Sequence, residues 1–494
     1  MSHLPYSLYQ AQQVRELDRL AIEVHGIAGI DLMERAGSAA FAAMRQRWPR
    51  ARRIGVLCGV GNNAGDGFIL ARLARQAGLK VTAWQVGDAA RIQGDALTAY
   101  ERMETENLLP RAYEGEDLSA QELLVDALLG TGLSGEVSGK WLSAIEAINS
   151  AREQGSRVLA LDIPSGLHAD SGRVLGDAVQ ADCTVSFIGL KLGLFTGRGP
   201  ALCGDMVLDH LGVPDAVYQG MTPAATRISC ADVGSTLPPR AADANKGQFG
   251  HVLVVGGDHG MAGALQMAAA AAARVGAGLV SAATRAQHAA LVSAMCPEIM
   301  SHAVEDPLAL HPLLARATVL ALGPGLGQGS WGRAMLGKLL DCDLPMVVDA
   351  DAINLLAAEP SHRNNWILTP HPGEAARLLD KTVTEIQADR VAAALEIQTR
   401  FGGVVILKGA GTVVVDAQAG IAICSEGNPG MASGGMGDVL TGVIAGLMAQ
   451  GLLLPQAARL GVCLHAHAAD EAARDGQRGL LATDLLPILR RLVG

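Results

Sequence analysis

The segment NPGMASGGMGD (428–438) runs without pause into VLTGVIAGLMAQ, an apolar helical stretch. A glycine turn entering a helix start aims backbone amides at an anion, and the helix dipole adds to the attraction. Seven of the nine residues 430–438 are Gly, Ala, Ser or Asp, which clears space for a ligand against the backbone. Asp438, at that helix start, is placed to stay ionised beside phosphate and act as a base. The plain alternative is a tight loop in which Asp438 only caps the helix.

Two further segments carry chemistry of the same kind. Lys408, Gly409, Ala410, Gly411 and Thr412 form a hairpin-like turn between the β-branched runs VVI and VVV. There a lysine and exposed amides can meet phosphates or an adenosine, or the lysine is simply solvated. TPHPGE (369–374) follows a strand and holds His371 between two prolines, which restricts its imidazole to a few directions, as a substrate contact or as a structural histidine.

In the first half, RIGVLCG is followed by VGNNAGDG (60–67) and the helical FILARLARQAG, so a second glycine-rich turn faces a helix start. The spacing is not G-x-G-x-x-G with a downstream ribose acid, and hydride transfer from a dinucleotide is not supported. Asn62, Asn63 and Asp66 add polar groups that a plain turn does not need. Asp126 in LLVDALLGTGLSGE, and Asp162 with Ser165 in ALDIPSG, lie at strand ends, where each alone reads equally as an N-cap or as function. Together these Asn, Asp and Ser oxygens suit a hard monovalent cation.

The elements that position these groups follow an alternation of short β-branched runs, Gly, Asp or Pro turns and helical stretches, the signature of βαβ units. Strands are predicted at 53–58, 80–86, 123–127, 157–161, 183–188 and 205–208, and helices at 11–24 and 31–45, the second with Asp31 as N-cap and Glu34 completing a capping box. Between 213 and 248 the pattern breaks at Pro214, Pro223, Pro238 and Pro239, so a boundary is expected near Met221, giving domains 1–220 and 221–494. Strand-and-loop runs resume at 251–257, 318–323, 345–351, 366–370 and 404–409, while 260–283 reads as a buried helix. The fold class is α/β in two domains, the first a Rossmann-like doubly wound sheet.

Composition narrows the partners. At 494 residues, with 49% hydrophobic and 18% charged residues, the chain has ample core for two or three domains. A formal charge of -10 removes the electrostatic basis for broad nucleic-acid or anionic-membrane contact. Eight cysteines without a C-x-x-C pair suggest by their spacing neither a zinc site nor a disulfide framework, and they suit a reducing cytoplasm. The first twenty residues lack a basic segment followed by an apolar run, so no secretory signal is read there.

Taken together, GGDHGMAGA (256–264), GPGLG (323–327), DADAINLL (349–356), TPHPGE, KGAGT and GMASGGMGD (430–438) closely resemble the ADP/ATP-dependent NAD(P)H-hydrate dehydratase family of the ribokinase-like superfamily. The resemblance implies a ribokinase-like α/β second domain that phosphorylates the hydroxyl of hydrated NADH or NADPH, after which phosphate leaves; bacterial members use ADP. It implies nucleotide contact by Lys408, Gly409, Ala410, Gly411, Thr412 and Gly437. Substrate contact falls to Ala264, Gly325, His371 and Asp438, with Asp438 as the base. Mg2+ accompanies the ADP, and Asp349 and Asp351 either help bind it or are structural.

GNNAGDG, VDALLGTGL and LDIPSGL resemble the NAD(P)H-hydrate epimerase family, from about residue 8 to 211. This implies K+ at Asn63, Asp126 and Ser165 and hydrate contacts at Asn62, Asn63, Ala64, Gly65 and Asp66. It also implies contacts at Gly130, Thr131, Gly132, Leu133, Ser134, Gly135 and Glu136, with Asp162 as acid/base. The family reads N-N-G-G-D, and Ala64 stands at the first glycine; at a positive φ, alanine there costs about 1 kcal/mol and shifts the loop. The fused order resembles bacterial bifunctional NAD(P)H-hydrate repair enzymes, implying NAD(P)H hydrates and ADP as the small-molecule partners and a cytoplasmic homo-oligomer. Two other readings are a ribokinase-like kinase of a small hydroxylated metabolite and a non-catalytic N-terminal binding module, against which Asp162 and the Asn/Asp/Ser set speak.

Overall fold

The structure, a computed structural model, describes residues 4–230, 236–418 and 420–494. The chain divides into two compact units, Met1–Thr226 and Arg227–Gly494. Strands of the first unit are β1 (Ser7–Tyr9), β2 (Arg53–Cys58), β3 (Lys80–Gln85), β4 (Arg111–Ala112), β5 (Leu123–Ala127), β6 (Arg157–Leu161), β7 (Cys183–Phe187), β8 (Leu190–Lys191) and β9 (Asp205–Asp209). The first residues of β10 (Ala225–Ile228) pair antiparallel with β1, which in turn lies parallel to β8.

The main sheet of this unit runs β4-β3-β2-β5-β6-β7-β9, with every neighbouring pair parallel. A parallel sheet covered on both faces needs strands apolar on both sides, and β5 and β7 are buried along their whole length. Strand order reverses between β2 and β5. Such a switch leaves a crevice outside the carboxyl ends of the strands, where doubly wound sheets bind ligands.

Two local expectations change here. The helix read from Asp31 runs Gly29–Arg47 with Ala28 at its N-cap, so Asp31 sits inside the first turn. Glu34 pairs instead with Arg72 at 2.6 Å. The glycine-rich segment 60–67 is mostly not a loop, because the helix Asn62–Gln76 begins within it, after an extended Gly61. Ala64 is therefore a buried helical residue outside the positive-φ set, and the strain expected there does not arise. At the N-terminus, the stretch 11–24 is the helix Ala11–Arg19 continued by a π-helical turn, Leu20–Val24.

The second unit builds β11 (His251–Val255), β12 (Leu279–Thr284), β13 (Met300–Ala303), β14 (Val319–Leu322), β15 (Met346–Val348), β16 (Trp366–Leu368), β17 (Val404–Leu407), β18 (Thr412–Asp416) and β19 (Gly420–Cys424). They stand in the order β13-β12-β11-β14-β15-β16-β17-β18-β19, parallel as far as β17 and antiparallel from there to β19. Here the order reverses between β11 and β14. The stretch 260–283 splits into the helix Ala262–Arg274 and β12, since Gly276, at φ 108°, ends the helix before the chain enters the sheet.

The helix Met436–Ala449 is buried over most of its length and lies against Ala262–Arg274. Small residues make that approach possible: a Cβ on Gly442 would stand 2.0 Å from the carbonyl oxygen of Ala268. Backbones so close hold the start of Met436–Ala449, and with it Asp438, in a fixed position. Among the described residues, no helix is long and apolar enough to cross a membrane.

Candidate active sites

In the first unit a cavity of about 760 Å³ opens at the β2/β5 switch, lined among others by Asn62, Asn63, Asp66, Asp18 and Asp162. The whole stretch Gly130, Thr131, Gly132, Leu133, Ser134, Gly135 and Glu136 also lines it. Ala64 and Gly65 do not: helical geometry turns them into the core, where an added Cβ on Gly65 would meet Met33.

Asp162 follows β6 with φ 64°, a left-handed conformation that a non-glycine residue holds only when its surroundings impose it. Its carboxylate is ion-paired with Lys191, whose side chain is fully buried. The same ammonium donates to Ser186 Oγ at 3.0 Å and to the Phe187 carbonyl at 3.1 Å. Burial, reinforced by the charges of Asp162 and Asp18, pushes the Asp66 carboxyl well above its usual range. Burial likewise lifts Asp18 to about 6, against the pull of Lys191. The cavity thus places a carboxyl biased toward holding its proton near a carboxylate ion-paired to a buried lysine. Sequence reading missed Lys191 and Asp18. For Lys191 a signal existed: a lone lysine within FIGLKLGLF has to find a buried partner.

Asp126, at the end of β5, is fully buried. Its Oδ1 accepts from Ser165 Oγ at 2.6 Å and its Oδ2 from the Ser165 amide at 2.8 Å. The amide of Leu129 donates to Ser165 Oγ at 2.8 Å, and Asn63 Nδ2 donates to the Leu129 carbonyl at 3.3 Å. The fold therefore brings Asn63, Asp126 and Ser165 around one backbone turn. Asn63 Oδ1 is buried with no hydrogen-bond partner among the described residues. Such an orphan costs about 1–3 kcal/mol unless something satisfies it. Burial holds the Asp126 carboxyl up at about 6, opposed by its bonds from Ser165 and Leu128. This donor set fits a weakly charged hard cation.

In the second unit the site collects at the carboxyl ends of β14 to β17 and the start of Met436–Ala449. Gly435, at φ 90°, turns the chain into that helix. Asp438 lies in its first turn and does not simply stay ionised as the dipole alone would have it. Burial first, then the nearby charge of Asp349, lift its carboxyl to about 7 against the attraction of Lys408. A base whose pKa lies near neutrality is better matched to proton transfer than a fully acidic one.

Asp349 follows β15 and is the hub. Lys408 Nζ lies 2.6 Å from its Oδ1, which also accepts from Thr369 Oγ1 at 2.8 Å, while Oδ2 accepts from Thr441 Oγ1 at 2.9 Å. Burial works to raise its pKa, but Lys408 and these bonds outweigh it and hold the carboxyl below its usual range. Its charge already balanced by the Lys408 ammonium, Asp349 is not assigned as a magnesium ligand. Asp351 accepts instead from the Gly327 amide at 2.9 Å and from Gln328 at 3.3 Å.

Lys408 is turned toward Gly437, where an added Cβ would stand 3.2 Å from its Nζ. The KGAGT turn joins β17 to β18 as a hairpin, so Lys408 and Gly437, 29 residues apart in sequence, meet at one helix start. Gly409 lies against the guanidinium of Arg390, which is buried and donates to the carbonyls of Leu407 and Lys408. His371 caps the helix Pro372–Leu379, its Nδ1 accepting from the Gly373 amide at 2.9 Å, and its side chain remains half exposed. Glu374, within the same motif but passed over in the sequence, is buried 3.9 Å from Lys408, and burial raises its carboxyl to about 7. Ala264 and Gly325 sit together at the β11/β14 switch, 3.3 Å apart when a Cβ is placed on the glycine.

Both halves of the chain resemble known proteins. Residues 252–491 match the family model described as NAD(P)H-hydrate dehydratase, and residues 29–193 the one described as YjeF-related protein N-terminus. A ribokinase-like superfamily protein of Enterococcus faecalis V583 is 28% identical, superposes with a TM-score of 0.51, and covers 54% of this chain and 94% of its own. The bifunctional NAD(P)H-hydrate repair enzyme Nnr of Coxiella burnetii is 52% identical over 98% of this chain and 99% of its own length. Its Escherichia coli K12 counterpart is 42% identical over 99% and 94%. With both halves matched in order and nearly every residue covered, the chain belongs to the family of bifunctional NAD(P)H-hydrate repair enzymes.

Proposed function

We propose that this chain restores hydrated NADH and NADPH, the first unit interconverting the R and S hydrates and the second dehydrating the S form with ADP. The observation that supports the reading is that each unit gathers carboxyls about a lysine at the carboxyl ends of its parallel strands, Asp162 and Asp66 with Lys191 in the first and Asp438 and Asp349 with Lys408 in the second.

Epimerisation reverses the configuration at the ring carbon bearing the hydroxyl. A carboxylate at the cavity wall that takes the hydroxyl proton as the ring carbon–nitrogen bond breaks, its electron pair passing to the nitrogen, and returns it when the nitrogen re-closes on the other face is enough, and Asp162 has that role. Asn62, Asn63, Asp66 and the stretch 130–136 hold the hydrate. Asn63, Asp126 and Ser165, with the Leu129 carbonyl, would hold K+, which supplies fixed positive charge beside the cavity.

Dehydration turns a poor leaving group into a good one. Asp438 takes the hydroxyl proton while the oxygen attacks the terminal phosphorus of ADP, and the bond from that phosphorus to AMP breaks. The carbon–oxygen bond then breaks with phosphate leaving, and loss of a ring proton re-forms the double bond. Positioning and charge stabilisation are the protein's part. The 408–412 turn and Gly437 face the phosphates, Lys408 balances the local negative charge, and Ala264, Gly325 and His371 border the hydrate. Mg2+ enters with the nucleotide, with no protein ligand assigned.

The test supplies purified protein with separated R and S hydrates and with ADP or ATP, and follows the return of reduced-nicotinamide absorbance and the release of AMP or ADP. Recovery of both epimers with one phosphate released per turnover is expected. Recovery of S alone defeats the epimerase assignment. Failure with both, together with phosphate retained on an added alcohol, favours a small-metabolite kinase.

A further inference from the structure

Away from Asp438, the second unit gathers cysteines that are far apart in sequence. Among the described residues, two sets of metal-type donors share Glu426: Cys230 with Glu426 and His467, and Cys424 with Glu426 and Cys463. Within each set the donor atoms lie within 4.8 Å of one another, and the cysteines are free. The local structure explains the convergence. Cys424 ends β19 and Glu426 follows two residues on, while Cys463 and His467 are four apart on the helix Leu454–Ala472 and so share a face. Cys230 arrives just after β10.

A second observation points to a ligand. Glu426 Oε2 is buried with no hydrogen-bond partner among the described residues. Cys230 bonds to the Glu426 carboxylate and His467 lies 3.8 Å from its other oxygen, yet Oε2 itself keeps no partner among the described residues. A cation would.

We propose that Cys424, Cys463 and Glu426, with Cys230 and His467 on the more accessible side, form a binding site for a thiophilic divalent cation of the zinc type. Sulfur, nitrogen and carboxylate donors at this spacing are what zinc takes in four-coordinate sites, and Cys424, Cys463 and Glu426 with His467 would make the four. Binding transfers the thiol protons to solvent, leaving thiolates on the metal. The ion would clamp β19 to Leu454–Ala472. Beside it, Gly427 and Asn428 already bond to Asp470 of that helix, at 2.9 and 2.8 Å. The clamp thus sits at the foot of the 428–438 segment that carries Asp438. The site stands apart from the repair reaction.

The test uses the full chain, purified under reductant and stripped with a chelator, then titrated with Co2+ and back-titrated with Zn2+. One Co2+ per chain is expected, with thiolate-to-cobalt charge transfer, tetrahedral visible bands and displacement by Zn2+. The Cys424→Ser, Cys463→Ser double variant loses these signals. His467→Gln, at a partly exposed position, keeps the fold and binds roughly tenfold more weakly or worse. Absence of charge transfer in the native chain, unchanged affinity in His467→Gln, signals persisting in the double variant, or a Cys424–Cys463 disulfide under reductant each overturn the proposal.

Discussion

Lys408 Nζ meets Asp349 Oδ1 at 2.6 Å, a contact that joins the end of β17 to the end of β15 and fixes the charge balance of the whole second site. Asp349 is fully buried and Lys408 largely so, and burial raises the cost of leaving the carboxylate alone. Lys408→Met removes the only cation within 4 Å of the Asp349 carboxylate among the described residues and is expected to cost about 3–5 kcal/mol in urea unfolding. A second change, Asp349→Asn, made on top of it restores part of the loss. A single-variant cost under about 1 kcal/mol would mean that the pair does not hold the site.

Asp438 is the residue on which the two-site reading turns. Asp438→Asn keeps size and helix position but removes the proton acceptor, so nucleotide-dependent recovery of the S hydrate should fall by about 10²–10⁴. Epimerisation, measured by exchange between separated hydrates, should be unchanged. Loss of both activities together would contradict two independent centres.

The pH dependence follows from the same environment. Asp438 and Glu374 are each raised to about 7, in both cases by burial first, so below neutrality both increasingly carry protons. A protonated Asp438 cannot accept the hydroxyl proton. Single-turnover dehydration should therefore rise about tenfold per unit up to roughly pH 7 and level off above it. The stability effect has the same origin and the opposite slope. Folded-state values above the unfolded ones mean a contribution present below about pH 4 and lost as pH rises through 7. A flat rate profile across that window would falsify the base assignment.

Much of this was readable from residue order. Runs such as RIGVLC and VVIL are β-branched and bounded by turn residues, and each became the strand expected, because a covered parallel sheet tolerates little else. Asp126 and Asp162 were legible as strand-end groups for the same reason, and Lys408 as the start of a turn between two runs. Partnership was not. Lys191 reaches Asp162 only after the chain turns between β7 and β8, and Glu374 faces Lys408 only once β16 and β17 lie side by side. Alanine misled at 260–283, where its high helix propensity masked the strand Leu279–Thr284. Glycine misled at 60–67, where it serves helix packing and not a loop. The cysteine cluster lay beyond any spacing rule, since residues 230, 424 and 463 meet only through three separate elements.

The monovalent-cation site is open to a direct test through Asn63. Its Oδ1 is buried without a partner, while Asp126 and Ser165 are already tied to each other. If these residues hold K+, epimerisation should depend on the K+ concentration. Asn63→Ala removes the free oxygen together with the bond to the Leu129 carbonyl, and should raise the K+ concentration for half-activation by about tenfold or more. Because the side chain lies in the first turn of Asn62–Gln76, loss of fold has to be distinguished from loss of cation. The second unit provides the control: ADP-dependent dehydration of the S hydrate by the same variant should keep its native rate. An epimerase indifferent to K+, or a variant with an unchanged K+ response, would leave Asn63 Oδ1 as an unsatisfied group with a purely structural cost.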